Sequence, residues 1–111
     1  MNKLYSSAAA EASAVAFGGP CFVDEIIATN TSAGTLYLHI FDSATVPADT
    51  AAPDVCIAVT AESTVSYDPQ DQKGSNGIKF DAGCSVCFSS TAATKTVAGA
   101  VGVFTVRGKG V

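Results

Sequence analysis

The segment Thr35–Asp42 (TLYLHIFD) constrains this chain more than any other. In an extended strand successive side chains point to opposite faces, so Leu36, Leu38 and Ile40 share one side. Tyr37, His39 and Phe41 share the other. Apolar bulk on both sides cannot be satisfied by one buried face. The segment is therefore expected either as a central strand covered twice or as a strand with one face in a subunit contact. Val55–Thr60 and Cys84–Ser89 repeat the rhythm. Val55, Ile57 and Val59 align, and Cys84, Val86 and Phe88 stand opposite Ser85, Cys87 and Ser89.

Further strands are expected at Phe22–Thr29, Ser63–Tyr67, Ile78–Phe80 and Val101–Arg107. In the first of these the adjacent acids Asp24 and Glu25 would place one charge on the apolar side, which suggests an edge strand or a solvated start. Six or seven strands with small-residue turns, and no amphipathic helix of useful length, predict an all-β domain. The expected architecture is an antiparallel β-sandwich or small barrel, jelly-roll-like, over residues 21–107, with 108–111 as a loose tail. Met1–Ala16 is rich in alanine and serine and is stopped by Gly18-Gly19-Pro20. Residues 1–20 are accordingly expected as an N-terminal arm or short helix, whose loss (residues 1–18) would leave the β-fold intact. Ser43–Pro53 and Asp68–Gly77 are too long for tight hairpins and are expected to carry specific contacts.

At 111 residues the chain is read as one domain. Only 14% of its residues are charged, where about 25% is usual. That suits a subunit that buries part of its exterior in an assembly. The net charge is −4 and the six basic residues are dispersed, which argues against tracking a phosphate backbone. No apolar run approaches the length of a membrane span, and residues 6–13 lack a signal peptide's hydrophobic centre. The protein is expected to be made and used without secretion.

Cys21, Cys56, Cys84 and Cys87 are expected as free core or interface thiols. A disulfide framework and a zinc site on Cys84-x-x-Cys87 are the alternatives, the latter poor because residues three apart in a strand face opposite ways. No nucleotide-binding, hydrolase or zinc-protease motif is present. No catalytic residue, cofactor or metal is expected. The sole histidine, His39, is read as structural, and Cys–His chemistry would require Cys56, Cys84 or Cys87 beside it. Asp68 and Asp71 lie in a loop without the acid pattern of a calcium site. Tyr37 and Tyr67 offer the aromatic platform that a carbohydrate-binding module would need.

Several segments, in order, resemble small β-sandwich virion structural proteins of tailed bacteriophages. They are GTLYLHIFD (34–42), ATVPAD (44–49), PDVCIAV (53–59), GIKF (77–80), GCSVCF (83–88) and STAAT (90–94). The resemblance implies a non-enzymatic virion component: a capsid decoration or cement subunit, or else a tail or neck subunit. Its partners would be the major capsid protein and copies of itself, with no direct nucleic-acid or membrane contact. It would reside in the virion after assembly in the host cytoplasm. The cysteines of this chain depart from the resembling proteins. Candidate interface residues are Tyr37, His39, Phe41, Pro47, Pro53 and Tyr67.

Overall fold

Two antiparallel sheets face each other in the computed structural model, which describes residues 2–68 and 78–110. Among the described residues the strands are β1 (Asn2–Ser6), β2 (Ser13–Phe17), β3 (Cys21–Asn30), β4 (Leu36–Asp42), β5 (Val55–Val59), β6 (Thr64–Tyr67), β7 (Ile78–Phe80), β8 (Cys84–Ser89) and β9 (Gly102–Gly110). The first sheet runs β1-β9-β3-β6, with β7 also paired to β3 beyond β6. The second runs β2-β8-β4-β5. The result is an all-β, sandwich-like fold, as the alternating segments predict.

The core fills the space between the sheets. Val23, Ile26, Ala28, Phe104 and Val106 come from the first, and Leu38, Ile40, Val86 and Phe88 from the second. The rings of Phe88 and Phe104 stack across the gap with centroids 5.6 Å apart. Each such fully buried side chain contributes about 1.5–3 kcal/mol from lost apolar hydration.

The N-terminal residues, expected as an arm or short helix, instead form two edge strands. β1 pairs along its whole length with β9, and β2 pairs with β8. Small residues suit this position because each strand has only one neighbour and packs one side. Tyr5 and Phe17 supply the inward bulk, and the Lys3 ammonium lies 5.8 Å over the Phe17 ring. Between the strands, Glu11 ties the connection down. Its carboxylate accepts from Tyr5 and, at 2.5 Å, from Ser7, while its backbone exchanges hydrogen bonds with Gly102. Residues 108–110 are likewise no loose tail: β9 continues to Gly110, between β1 and β3.

β3 is a central strand, against the edge position suggested by its paired acids. A β-bulge resolves the conflict. Val23 opposes Gly108 and Glu25 opposes Arg107, so Asp24 is one residue too many and the alternation resets. Val23 and Ile26 both stay in the core, while Glu25 pairs with Arg107 outside. Gly108 sits at the same place for a steric reason: a Cβ there would lie 2.1 Å from the Phe22 carbonyl oxygen. At the strand's far end, buried Asn30 holds two turns together. Its amide donates to the carbonyls of Gly34, Val59 and Thr60 at 2.9–3.2 Å, and its Oδ1 accepts from the Ser32 N–H and hydroxyl.

These contacts give two expected outcomes. Removing residues 1–18 should abolish cooperative unfolding, read by thermal melting, because an edge strand is lost from each sheet. Asn30→Ala should cost about 2–3 kcal/mol in denaturant unfolding, since it leaves buried carbonyls without donors.

Candidate functional site

The double-sided bulk of β4 is met by the chain itself. Leu36, Leu38 and Ile40 face the first sheet. Tyr37, His39 and Phe41 lie on the outer side of the second sheet, and there His39 is 0% and Phe41 4% exposed. Their cover is a roof of two loops, residues 43–54 and 90–97, laid across the outer face. The neighbouring strand β8 supplies Ser85, Cys87 and Ser89 to the same layer, all buried.

Polar groups fasten the roof. Ser85 donates toward the carbonyls of Ser43 and Thr45, at 2.9 and 3.1 Å. Ser89 donates to the Thr91 carbonyl at 2.7 Å and accepts from the N–H groups of Thr91 and Thr96. The two loops also bond to each other. Thr50 N–H donates to the Lys95 carbonyl and Lys95 N–H to the Ala51 carbonyl, both at 2.7 Å. Lys95 is only 5% exposed, and its ammonium donates to Asp49 at 2.8 Å. That hydrogen bond holds the Asp49 carboxyl below its ordinary value. Thr50 has φ 79°, a left-handed conformation that costs a β-branched residue about 1–3 kcal/mol. The two inter-loop hydrogen bonds keep it there.

His39 occupies the middle of this layer, directly opposite Cys56 on β5 and Cys87 on β8. Local sequence pattern does not predict this juxtaposition, since it does not encode strand order. Its chemistry is quiet. Desolvation pushes the Cys87 thiol up to about 11 and raises Cys56 as well. Burial also lowers the His39 imidazole, and the neighbouring backbone of Ala92 and Thr91 only partly offsets it. A protonated thiol beside a neutral ring lacks the thiolate–imidazolium pairing that activates cysteine nucleophiles. Neither ring nitrogen of His39 has a partner in hydrogen-bonding geometry. Its ring meets Phe41 edge-on at 5.9 Å.

Among the described residues no three His, Cys, Asp or Glu side chains are grouped to hold a metal ion. All four cysteines are free thiols, with Cys21, Cys84 and Cys87 buried. Cys56 is exposed, because β5 is an edge strand and Cys56 lies on its outer side.

Of the six candidate interface residues, His39 and Phe41 are sealed under the roof and are withdrawn from any intermolecular contact as the domain stands. Tyr37, Pro47, Pro53 and Tyr67 keep partial exposure. Tyr37 and Tyr67 form no shared platform: Tyr37 is on the outer side of the second sheet, and Tyr67, in the first, packs against the core. Asp71 lies outside the described residues.

A second surface feature is a groove of about 440 Å³ over the β3 bulge, lined by Lys3, Leu4, Asp24, Glu25, Asp68, Arg107 and Gly108. It holds both acids and bases. Arg107 pairs with Glu25, and the Lys109 ammonium stands 3.8 Å from Asp24. Mutual pairing leaves it without the one-signed field that draws a polyanion. Comparison with protein-family models, curated proteins and solved structures finds no match to this chain.

The thiols make the roof measurable. In the native protein at pH 8, a cysteine-alkylating reagent should label Cys56 rapidly. Cys87 should react more slowly than Cys56, and roughly 100-fold more slowly than an unperturbed thiol from the rise of its own thiol from 9.0 to about 11. Peptide mapping by mass spectrometry reads both rates.

Proposed function

We propose that this chain is a non-enzymatic structural subunit of a bacteriophage virion, a decoration or cement subunit on the capsid exterior, and that it acts through its surface. The observation that carries this reading is the strand order. β1-β9-β3-β6 facing β2-β8-β4-β5 is the arrangement reached when antiparallel strand pairs wrap once around a barrel, and we take the fold to be a jelly roll on that ground. Jelly rolls recur in viral shells and in lectins. Fold alone does not decide between those uses. The separation of Tyr37 from Tyr67 favours the shell, since a carbohydrate reading leaned on those two rings together.

The same reading is supported by the resemblance to phage virion proteins and by a roof whose outer side is weakly charged. Val46 and Val97 are 37% and 40% exposed there, beside the half-buried Pro47 and Pro53. Such isolated contacts are weak singly and become effective when repeated over a symmetric shell. The roof is the proposed capsid-facing side, and Leu4, 66% exposed on β1, belongs to the opposite sheet.

The test is co-purification with particles. In density gradients of virions that carry the gene, the chain should band with the capsid at a copy number in fixed ratio to the major shell protein. Val46→Asp with Val97→Asp should lower occupancy by roughly tenfold or more, and Leu4→Asp should leave it unchanged. Absence from the particle band, together with glycan binding by the isolated domain, would transfer the assignment to the carbohydrate-binding alternative. Presence at a few copies per particle would move it to tail or neck.

A further inference from the structure

We propose that the roof over the second sheet is an acid-opened latch, with His39 as its proton sensor and the loop 90–97 as its moving part. The inference rests on the fold alone and holds whatever the domain docks to.

Three observations converge on it. First, His39 is wholly buried, yet neither ring nitrogen has a hydrogen-bond partner. An imidazolium carries two N–H donors, and the acceptors at hand, in the backbone of Thr91 and Ala92, offset its burial in part without standing in full hydrogen-bonding geometry. Second, the groups that face the ring are ill suited to a cation. Cys56 faces it from β5 and Cys87 from β8, both as neutral thiols. Tyr37 and Phe41 flank it on its own strand, and Phe41 meets it edge-on. From the roof come the ammonium of Lys95, whose charge disfavours the protonated ring, and the backbone of Thr91 and Ala92, which favours it but does not outweigh burial. Asp49, from the other loop, is committed to Lys95. Third, the roof is fastened by hydrogen bonds to a mainly polar layer, in which Phe41 is the large apolar side chain, and it contains the strained Thr50. Lifting it relieves that strain and gives the ring to water.

The sign of the pH dependence follows. Burial depresses the His39 pKa below its ordinary 6.5 with the roof shut. With the roof open the ring returns toward that value, so the open form binds more protons. The closed roof is therefore fully favoured above about pH 6.5 and loses stability as pH falls below it. The opening constant rises roughly tenfold for each pH unit by which the closed-state pKa lags the open one. Asp49, itself depressed below its ordinary 3.8, releases its hold on Lys95 only at more acid pH, as a separate second step.

Cys87 reports the latch, because it lies under the roof, whereas Cys21 and Cys84 lie between the sheets. The experiment labels full-length protein carrying Cys56→Ser with 4,4′-dithiodipyridine, which reacts with thiols in acid, from pH 7.5 to 4.5. Rates are normalised to a free thiol at each pH. Cys87 should become at least about tenfold more reactive between pH 7 and 5 while Cys21 and Cys84 stay protected. Both His39→Gln and His39→Phe should flatten that rise. In the unsubstituted protein, nuclear magnetic resonance titration of the single histidine supplies a check that needs no variant at this position. Its midpoint should lie below 6.5 and coincide with faster amide exchange in residues 90–97. Three results would each overturn the latch: Cys87 reactivity flat with pH, simultaneous exposure of Cys21 and Cys84, or an unchanged rise in the His39 variants that fold. A His39 midpoint at or above 6.5 would do the same.

Discussion

A strand with large side chains on both faces needs two covers, and the rest of this molecule is arranged around providing them for β4. The first cover is the opposing sheet, which is the ordinary solution for a sandwich. The second is unusual in being built from loops. Loops carry backbone polar groups that resist burial, so a loop roof is stable only if those groups find partners. Here the partners are the hydroxyls of Ser85 and Ser89, which project from a strand interior where valine would otherwise be expected. The two serines exchange some apolar burial for the ability to hold a specific loop path. Lys95 and Asp49 complete the closure from above, linking one loop to the other.

This arrangement divides the domain into two environments of different character. The space between the sheets is dry and apolar, closed by stacked rings and branched aliphatics. The layer under the roof mixes an imidazole, a phenyl ring, a thiol, two hydroxyls and an ammonium. Buried polar layers of this kind contribute less to stability per unit area than apolar ones, but they are selective about geometry. The alternation of β8 is the physical origin of both environments. Cys84, Val86 and Phe88 serve the first, and Ser85, Cys87 and Ser89 serve the second.

Much of the sandwich could be read from residues alone. The alternation in 36–42, 55–59 and 84–89 identified strands and their faces correctly, because period-two patterning follows directly from strand geometry. The N-terminal strands were not legible. Alanine and serine have little strand preference of their own, and only pairing with β8 and β9 makes 13–17 and 2–6 extended. The acids at 24 and 25 argued for an edge because a bulge leaves no clear trace in a single sequence. The roof was hidden for another reason. Ser85 and Ser89 look like solvent-facing positions, and Lys95 like a surface charge, until residues 90–97 fold back over Ser89 and the distant loop 43–54 closes over Ser85 and pairs with Lys95. His39 beside Cys87 and Cys56 is a product of strand order, which local pattern does not encode.

The pairing of β9 between β1 and β3, and of β8 between β2 and β4, bears on how such a chain comes to be folded at all. Each sheet keeps a gap in its middle until β9 or β8, late in this order, is inserted. A growing chain would hold β1 and β3 apart, with open hydrogen-bonding edges, until residues 102–110 have been synthesised. Folding in step with synthesis is thus denied to both sheets, and the nucleus must join segments distant in sequence. Slow, concerted closure once β8 and β9 have both been made is the kinetic signature to which this topology commits the chain.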